Sequence, residues 1–309
     1  MSNSISTATE TPIRFEFIQS NGQSFEVATC GTGDRLALCL HGFPEHALSW
    51  SKQLPVLAQL GYRAWAPNQR GYGRSFRPKA RSEYAIEKLM DDVAGIIDAS
   101  GAKETVLIGH DWGAVVAWCF ATRQLRPLDA LIILNVPHPM CYLQTLFRSS
   151  QIWKSWYIYL FQLPWLPEWL LTRRSAKAVG EMVLRTSTDS NNFPRDLLDT
   201  FQSNANSPGA MKAMLNWYRA AFSGGGIGRL MRQGFPAIPT RTLMIWGEED
   251  VALDKSTTYN THRYVKDLTL RYLPGVSHWV QQDATQEVNE MIRCFLTRRP
   301  VPEFQNQPE

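Results

Sequence analysis

The sequence lacks the long apolar runs and the blocks of one charge that mark several classes of protein. No apolar stretch reaches the roughly 18 residues that a membrane-spanning helix needs, and the opening residues have no apolar centre like that of a secretion signal. The net charge is only +4, and no run of Lys and Arg occurs. We therefore expect neither a membrane nor a nucleic acid as a partner.

Paired cysteines are also missing. The five cysteines are odd in number and widely spaced, and several stand among apolar residues. This pattern is typical of buried thiols in a reducing compartment, so we expect a cytoplasmic protein. His41 and His110 belong to no close cluster of Cys and His with the spacing of metal ligands, and we interpret both as packing and turn residues. Neither a metal nor an organic cofactor is expected.

Short apolar runs alternate with helical patterns through much of the chain. The runs at 35–40, 105–109 and 128–134 are typical of strands that are covered on both faces. Apolar residues from Ile86 to Ile97 follow helical spacing instead. This alternation predicts an α/β fold with a mostly parallel, twisted sheet flanked by helices.

The alternation stops near Val136 and resumes at 240–247. Between these points the chain has aromatic-rich helical stretches interrupted by prolines, which predicts a helical insertion on a sheet-based core. The predicted division is a core formed by 12–139 and 236–298, an inserted helical cap at 140–235, and irregular tails at 1–11 and 299–309.

The most informative string is Gly109-His110-Asp111-Trp112-Gly113, which lies between a strand and a helix. Such glycines allow a strained turn that raises one side chain above the edge of the sheet. Here that side chain is an aspartate, which is ionised near neutrality and needs no base to attack a carbon. Attack on a saturated carbon gives an ester, so Asp111 favours epoxides or alkyl halides as substrates. The alternative is that Asp111 only caps the helix.

The partners of this nucleophile are predicted at other strand ends. Asp250 follows the strand at 240–247, and His278 follows a later strand, in the chain order nucleophile, acid, histidine. His278 would activate the water that hydrolyses the ester, and Asp250 would orient its ring. Glu248 and Glu249 are alternatives for the acid.

An oxyanion hole is predicted beside the nucleophile. The backbone amide of Phe43, which follows an early strand, and that of Trp112 are its expected donors.

The sequence resembles the epoxide hydrolase branch of the α/β-hydrolase superfamily. The similar strings occur in the family's order: HGFPE (41–45), RGYGRS (70–75), GHDWG (109–113), NVPHP (135–139), WGEEDVAL (246–253) and GVSHW (275–279). The resemblance implies the α/β-hydrolase fold and conversion of an epoxide to a vicinal diol. The implied reactants are a small lipophilic epoxide and water, and the implied assembly is a monomer or a homodimer.

The resemblance also places two proton-donating tyrosines in the cap. SWYIYLFQ (155–162) is similar to the motif that carries the first, at Tyr157, with Tyr159 as an alternative; LNWYR (215–219) is similar to the motif of the second, at Tyr218. They would supply the proton that an opening epoxide needs. The side chains expected to line the substrate pocket are Trp153, Trp156, Phe161, Met214, Trp217 and Trp279.

Two other functions use the same residues differently. A haloalkane or haloacid dehalogenase would keep Asp111 as nucleophile and bind the departing halide with Trp112 and a cap tryptophan. A non-catalytic protein of the same fold would bind an apolar ligand in the aromatic cap. The intact set of Asp111, Asp250 and His278 argues against the second of these.

Overall fold

Eight strands form one sheet in the part of the chain that this computed structural model describes, residues 12–146, 151–222 and 226–304. The strands are β1 (Arg14–Ser20), β2 (Gln23–Cys30), β3 (Arg35–Leu40), β4 (Tyr62–Pro67), β5 (Thr105–His110), β6 (Ala130–Leu134), β7 (Thr242–Gly247) and β8 (Leu268–Leu273). Their order across the sheet is β1-β2-β4-β3-β5-β6-β7-β8.

The six strands β4, β3, β5, β6, β7 and β8 are parallel to one another. The hairpin of β1 and β2 adds two antiparallel strands at one edge of the sheet. Every residue of β5, β6 and β7 is buried, because helices and loops cover both faces. The apolar runs of these strands therefore lack the alternation of a half-exposed strand. At the edge, most of β1 is exposed.

The α-helices of the described residues fall into two groups along the chain. Five pack with the sheet: α1 (Leu54–Gln59), α2 (Ile86–Ser100), α3 (Trp112–Arg123), α11 (Val280–Asp283) and α12 (Thr285–Leu296). Seven lie between β6 and β7: α4 (Pro139–Leu146), α5 (Gln151–Lys154), α6 (Trp156–Gln162), α7 (Leu166–Thr186), α8 (Arg195–Asn206), α9 (Ala210–Phe222) and α10 (Gly226–Gln233). The backbone of α7 leaves helical geometry at 173–176. The predicted fold class, a mostly parallel twisted sheet flanked by helices and carrying an inserted helical cap, is confirmed.

The division into a core and a cap stays a prediction. The predicted cap, 140–235, coincides with the helices between β6 and β7. Residues 299–304 of the predicted C-terminal tail contain no helix or strand, whereas 1–11 and 305–309 lie outside the described residues.

A buried arginine holds the inserted helices together. Arg219 on α9 donates to the carbonyl oxygens of Phe161 (2.9 Å) and Leu163 (2.6 Å) at the end of α6. It also forms a two-point ion pair with Glu168 in the first turn of α7, at 2.6 and 3.0 Å. A nearby tryptophan, Trp217, donates its indole N–H to the Arg70 carbonyl and so joins α9 to the core.

All five cysteines are buried, as the sequence predicted. Within the described ranges, no helix has both the length and the apolar character needed to cross a bilayer. The cytoplasmic location stays a prediction.

Replacing Arg219 by Met tests its role in joining the helices. The change leaves the Glu168 carboxylate and two carbonyl oxygens without their donor, and we expect the free energy of unfolding to fall by about 3 kcal/mol, as when one partner of a buried ion pair is removed. Urea denaturation followed by circular dichroism measures this loss.

Arg126→Met is the matched control, because Arg126 forms a two-point pair of similar geometry with Asp98 on the surface. Solvent screens that pair, so a much smaller loss is expected. Equal losses in the two variants would contradict the structural role of Arg219.

Candidate active site

Asp111 stands at the turn between β5 and α3 with a positive φ of 47°. A residue other than glycine rarely adopts this backbone conformation, so the turn is strained. The glycines on either side make the turn possible, because they have no Cβ atom. A Cβ atom on Gly109 would come within 2.7 Å of the Gly113 carbonyl oxygen, and one on Gly113 would overlap the Leu40 carbonyl oxygen. The Asp111 side chain makes no capping hydrogen bond to α3. The alternative interpretation of Asp111 as a helix cap is therefore not supported.

The loop after β3 passes directly against the Asp111 carboxylate. A Cβ atom on Gly42 would overlap the carboxylate, so only glycine allows this approach. The next residue, Phe43, donates its backbone N–H to Asp111 Oδ1 at 2.7 Å. The Trp112 amide is the first of α3, where N–H groups have no partner within the helix. It stays the predicted second donor of the oxyanion hole.

His278 lies between two carboxylates. Its Nε2 is 3.6 Å from Asp111 Oδ2, and its Nδ1 is 2.7 Å from Asp250 Oδ2. Asp111, Asp250 and His278 follow β5, β7 and β8, and these parallel strands end at the same edge of the sheet. The structure thus brings together the three residues predicted as nucleophile, acid and base.

Asp250 is fixed by a full set of hydrogen bonds. Its side chain is completely buried, and Oδ1 accepts from the amides of Ala252 (2.7 Å) and Leu253 (2.8 Å). Its Oδ2 accepts from Asn135 Nδ2 at 2.8 Å beside His278. The two alternative acids make other contacts: Glu248 forms an ion pair with Lys255, and Glu249 is exposed to solvent.

The charges of these groups depend on one another. Burial raises the pKa of Asp111 and of Asp250, but His278 outweighs this effect and holds both values below the usual range. Burial lowers the pKa of His278, but the flanking carboxylates outweigh it and raise that pKa well above the usual value. At neutral pH the site therefore holds two carboxylates and an imidazolium.

A second carboxylate–imidazole pair lies next to the site, formed by Glu45 and His110. His110 Nδ1 is 2.9 Å from Glu45 Oε2, and His110 Nε2 is 3.0 Å from the His278 carbonyl. Glu45 also accepts from the Gly42 amide and from Gln281. Burial raises the pKa of Glu45, but the proximity of His110 outweighs it and lowers that pKa. Sequence reasoning assigned His110 to packing and missed this pair.

A cavity of about 200 Å³ opens in front of Asp111. Its surface is largely apolar, and the hydroxyl-bearing side chains on it are Tyr142, Tyr157 and Tyr218. Burial and the charge of Asp111 raise the pKa of Tyr157 and of Tyr218 well above the usual value, so both phenols stay protonated. The alternative tyrosine, Tyr159, is 59% exposed and does not line the cavity.

The six predicted pocket residues do not line this cavity, so the structure contradicts that prediction. Trp153 and Trp156 are 80% and 64% exposed, because they lie on the outer side of their helices. The other four are buried in the hydrophobic core, where they contact other side chains and not the cavity. They are Phe161, Met214, Trp217 and Trp279. Apolar residues of α3, α4, α9 and α10 line it instead.

Sequence reasoning also missed Tyr142 and Asn135. Tyr142 on α4 lines the cavity, and its hydroxyl is 2.9 Å from Ser155 Oγ. Asn135 joins the end of β6 to Asp250 and to the Gly247 amide. The position of Asn135, a polar residue directly after a buried strand, could have indicated a role at the site. No local sequence pattern indicates that Tyr142 lines the cavity.

Fold and site together define a hydrolase of the α/β type that carries an aspartate at the turn between β5 and α3. A family model described as the alpha/beta hydrolase fold matches residues 38–285. The chain belongs to this family, within its epoxide hydrolase branch.

Three similar proteins illustrate the relationship. AB hydrolase superfamily protein YfhM of Bacillus subtilis is 35% identical over 92% of this chain and 98% of its own length. Epoxide hydrolase 3 of Xenopus tropicalis is 34% identical over 92% of this chain and 75% of its own length. The crystal structure of Bacillus megaterium epoxide hydrolase with an inhibitor superposes with a TM-score of 0.84 at 26% identity, covering 91% of this chain and 100% of that one.

Removing the charge of Asp111 tests the electrostatic coupling. Asp111→Asn keeps the shape of the side chain but leaves only Asp250 to stabilise the imidazolium. We expect the pKa of His278 to fall, and an NMR titration of the imidazole resonances measures it. Glu248→Gln is the control, because that carboxylate bonds to Lys255 and should not affect His278. An unchanged pKa in Asp111→Asn would contradict the coupling.

Proposed function

We propose that this chain opens a lipophilic epoxide to a vicinal diol through a covalent ester on Asp111. The observation that carries the proposal is that an ionised carboxylate and two protonated tyrosines line the same apolar cavity. A carboxylate attacks a saturated carbon without a base, and a phenol donates a proton to the oxygen that leaves that carbon.

In the first step Asp111 attacks one ring carbon while Tyr157 and Tyr218 hold the ring oxygen. The new C–O bond to Asp111 forms as the C–O bond of the ring breaks, and the oxygen takes a proton from a tyrosine. Because both phenols have raised pKa values, they hold their protons until a stronger base, the alkoxide, is formed.

Ester formation changes the state of His278. The ester has no charge, so the imidazolium loses one of the two carboxylates that raise its pKa. His278 then releases a proton, which balances the one that the tyrosine gave up, and becomes a neutral base. The site thus produces its base only after the nucleophile has reacted.

In the second step His278 takes a proton from water, and the oxygen of that water attacks the ester carbonyl. The Phe43 amide, which bonds to Asp111 Oδ1 in the free protein, stabilises the negative oxygen, with the Trp112 amide as the second donor. Asp250 keeps the ring in position. Collapse releases the diol and restores the Asp111 carboxylate beside a protonated His278.

Halide release from an alkyl halide is less well supported. It requires a second indole N–H beside that of Trp112. The indole N–H of Trp217 donates to the Arg70 carbonyl at 3.1 Å, and Trp153 and Trp156 face outward.

A single turnover in water labelled with 18O tests the ester. Oxygen from water enters the Asp111 carboxylate when the ester is hydrolysed, whereas the first diol carries an unlabelled oxygen from Asp111. We expect mass spectrometry of the peptide with Asp111 to show the label, with enzyme incubated without substrate as the control. Label in the first diol and none in the peptide would rule out the ester.

Substitution of the tyrosines tests the proton donors. Tyr157→Phe and Tyr218→Phe should each slow ester formation by at least about tenfold, and the double variant by about 10² to 10⁴, the usual range for general acid catalysis. Rapid-quench measurement of ester formation gives these rates. Tyr159→Phe is the control and should match the parent protein, because Tyr159 faces outward. Normal rates in the double variant would refute the role of the tyrosines.

A further inference from the structure

The outer surface of the inserted helices carries a dense group of exposed aromatic residues. All four exposed tryptophans of the eleven in the sequence lie within 153–169. We call the following set the cap aromatic face: Trp153, Trp156, Tyr159, Leu163, Trp165 and Trp169, each 45% to 80% exposed. Large apolar side chains are seldom left in water in such a group unless something else covers them.

Helical spacing places these side chains on the outside. Trp156, Tyr159 and Leu163 recur at intervals of three and four residues, and Trp165 and Trp169 are one turn apart. The opposite side of α6 faces inward, where Tyr157 and Ile158 line the cavity. The two sides of α6 therefore contribute to the substrate cavity and to the cap aromatic face.

The corner between α6 and α7 is held from inside. Arg219 bonds to the carbonyl oxygens of Phe161 and Leu163 and to the Glu168 carboxylate. These bonds fix the end of one aromatic helix to the start of the next. These internal bonds therefore hold the helices that carry the exposed tryptophans in a fixed arrangement.

The charge of this region is positive. Residues 151–186 contain five cations (Lys154, Arg173, Arg174, Lys177 and Arg185) and two acids (Glu168 and Glu181), which leaves a net charge of +3. Glu168 is paired with the buried Arg219, and Glu181 pairs with Arg185. Arg173, Arg174 and Lys177 are exposed, and the Arg173 guanidinium lies 5.5 Å from the centre of the Trp169 ring.

We propose that the cap aromatic face docks on the surface of an anionic phospholipid bilayer. Trp and Tyr are enriched where proteins meet the boundary between lipid and water, since their rings are apolar and their N–H or O–H groups stay hydrated. Nearby cations are attracted to anionic headgroups. A second copy of this chain suits the face less well, because a symmetric dimer would bring two positive surfaces together.

Such docking concerns attachment to the surface and differs from spanning the bilayer. The sequence alone predicts no membrane partner, because neither a long apolar run nor a basic run occurs. The positive charge and the aromatic face become visible only when the outward side of each helix is known. If the proposed epoxide activity is right, docking brings the cavity close to substrates dissolved in the bilayer.

Flotation of the full chain with lipid vesicles tests the proposal. We expect the protein to float with vesicles of phosphatidylcholine and phosphatidylglycerol and to bind vesicles of phosphatidylcholine alone more weakly. Trp153→Ser/Trp156→Ser/Trp165→Ser should weaken binding to the anionic vesicles by at least about tenfold, since it removes most of the apolar area that enters the interface.

Phe17→Ser/Tyr259→Ser is the control, because both residues are similarly exposed but lie outside the cap aromatic face. It should bind within about twofold of the parent protein. Arg173→Gln/Lys177→Gln should reduce binding to anionic vesicles and leave binding to neutral vesicles unchanged. Thermal melting of each variant verifies that it is folded, and neither measurement depends on catalytic activity.

Three results would overturn the proposal. The first is a parent protein that does not float with anionic vesicles. The second is a triple Trp variant that binds as well as the parent protein. The third is a parent dimer in light scattering that the triple variant converts to a monomer without any vesicle binding, which would assign the face to a second copy of the chain.

Discussion

An imidazolium held between two carboxylates is the interaction on which the rest of the site depends. His278 keeps Asp111 and Asp250 ionised although protein surrounds both, and the two carboxylates keep His278 protonated. This balance requires all three groups at fixed distances. The common edge of β5, β7 and β8 provides those distances, and the bonds from Asn135, Ala252 and Leu253 to Asp250 maintain them.

A further layer of buried polar contacts connects the loops around this centre. Glu45 and His110 join the loop after β3 to the backbone of His278, and Gln281 bonds to Glu45 from the other side. The loop that presents the Phe43 amide, the turn that presents Asp111 and the loop that presents His278 are therefore bound to one another. A displacement of one loop would disturb the other two.

The sequence predicted the sheet, the inserted helices and the positions of Asp111, Asp250 and His278, because strand ends and tight glycine turns are local patterns. It predicted Asp250 as the acid but kept Glu248 and Glu249 as alternatives, because the bond from Asn135 that distinguishes Asp250 comes from far away in the chain. The residues that line the pocket could not be predicted from the sequence either. Residue type alone predicts that Trp153 and Trp156 face the pocket, whereas the direction of a helical side chain depends on how the helix is packed.

Cys119 lines the same cavity as Asp111. An epoxide is an alkylating agent, and a thiolate beside it would be consumed irreversibly, since a thioether cannot be released by water. Burial raises the pKa of Cys119 to about 12, so the thiol stays protonated and unreactive at neutral pH. The cavity wall can thus contain a sulfur atom without being inactivated by its own substrate.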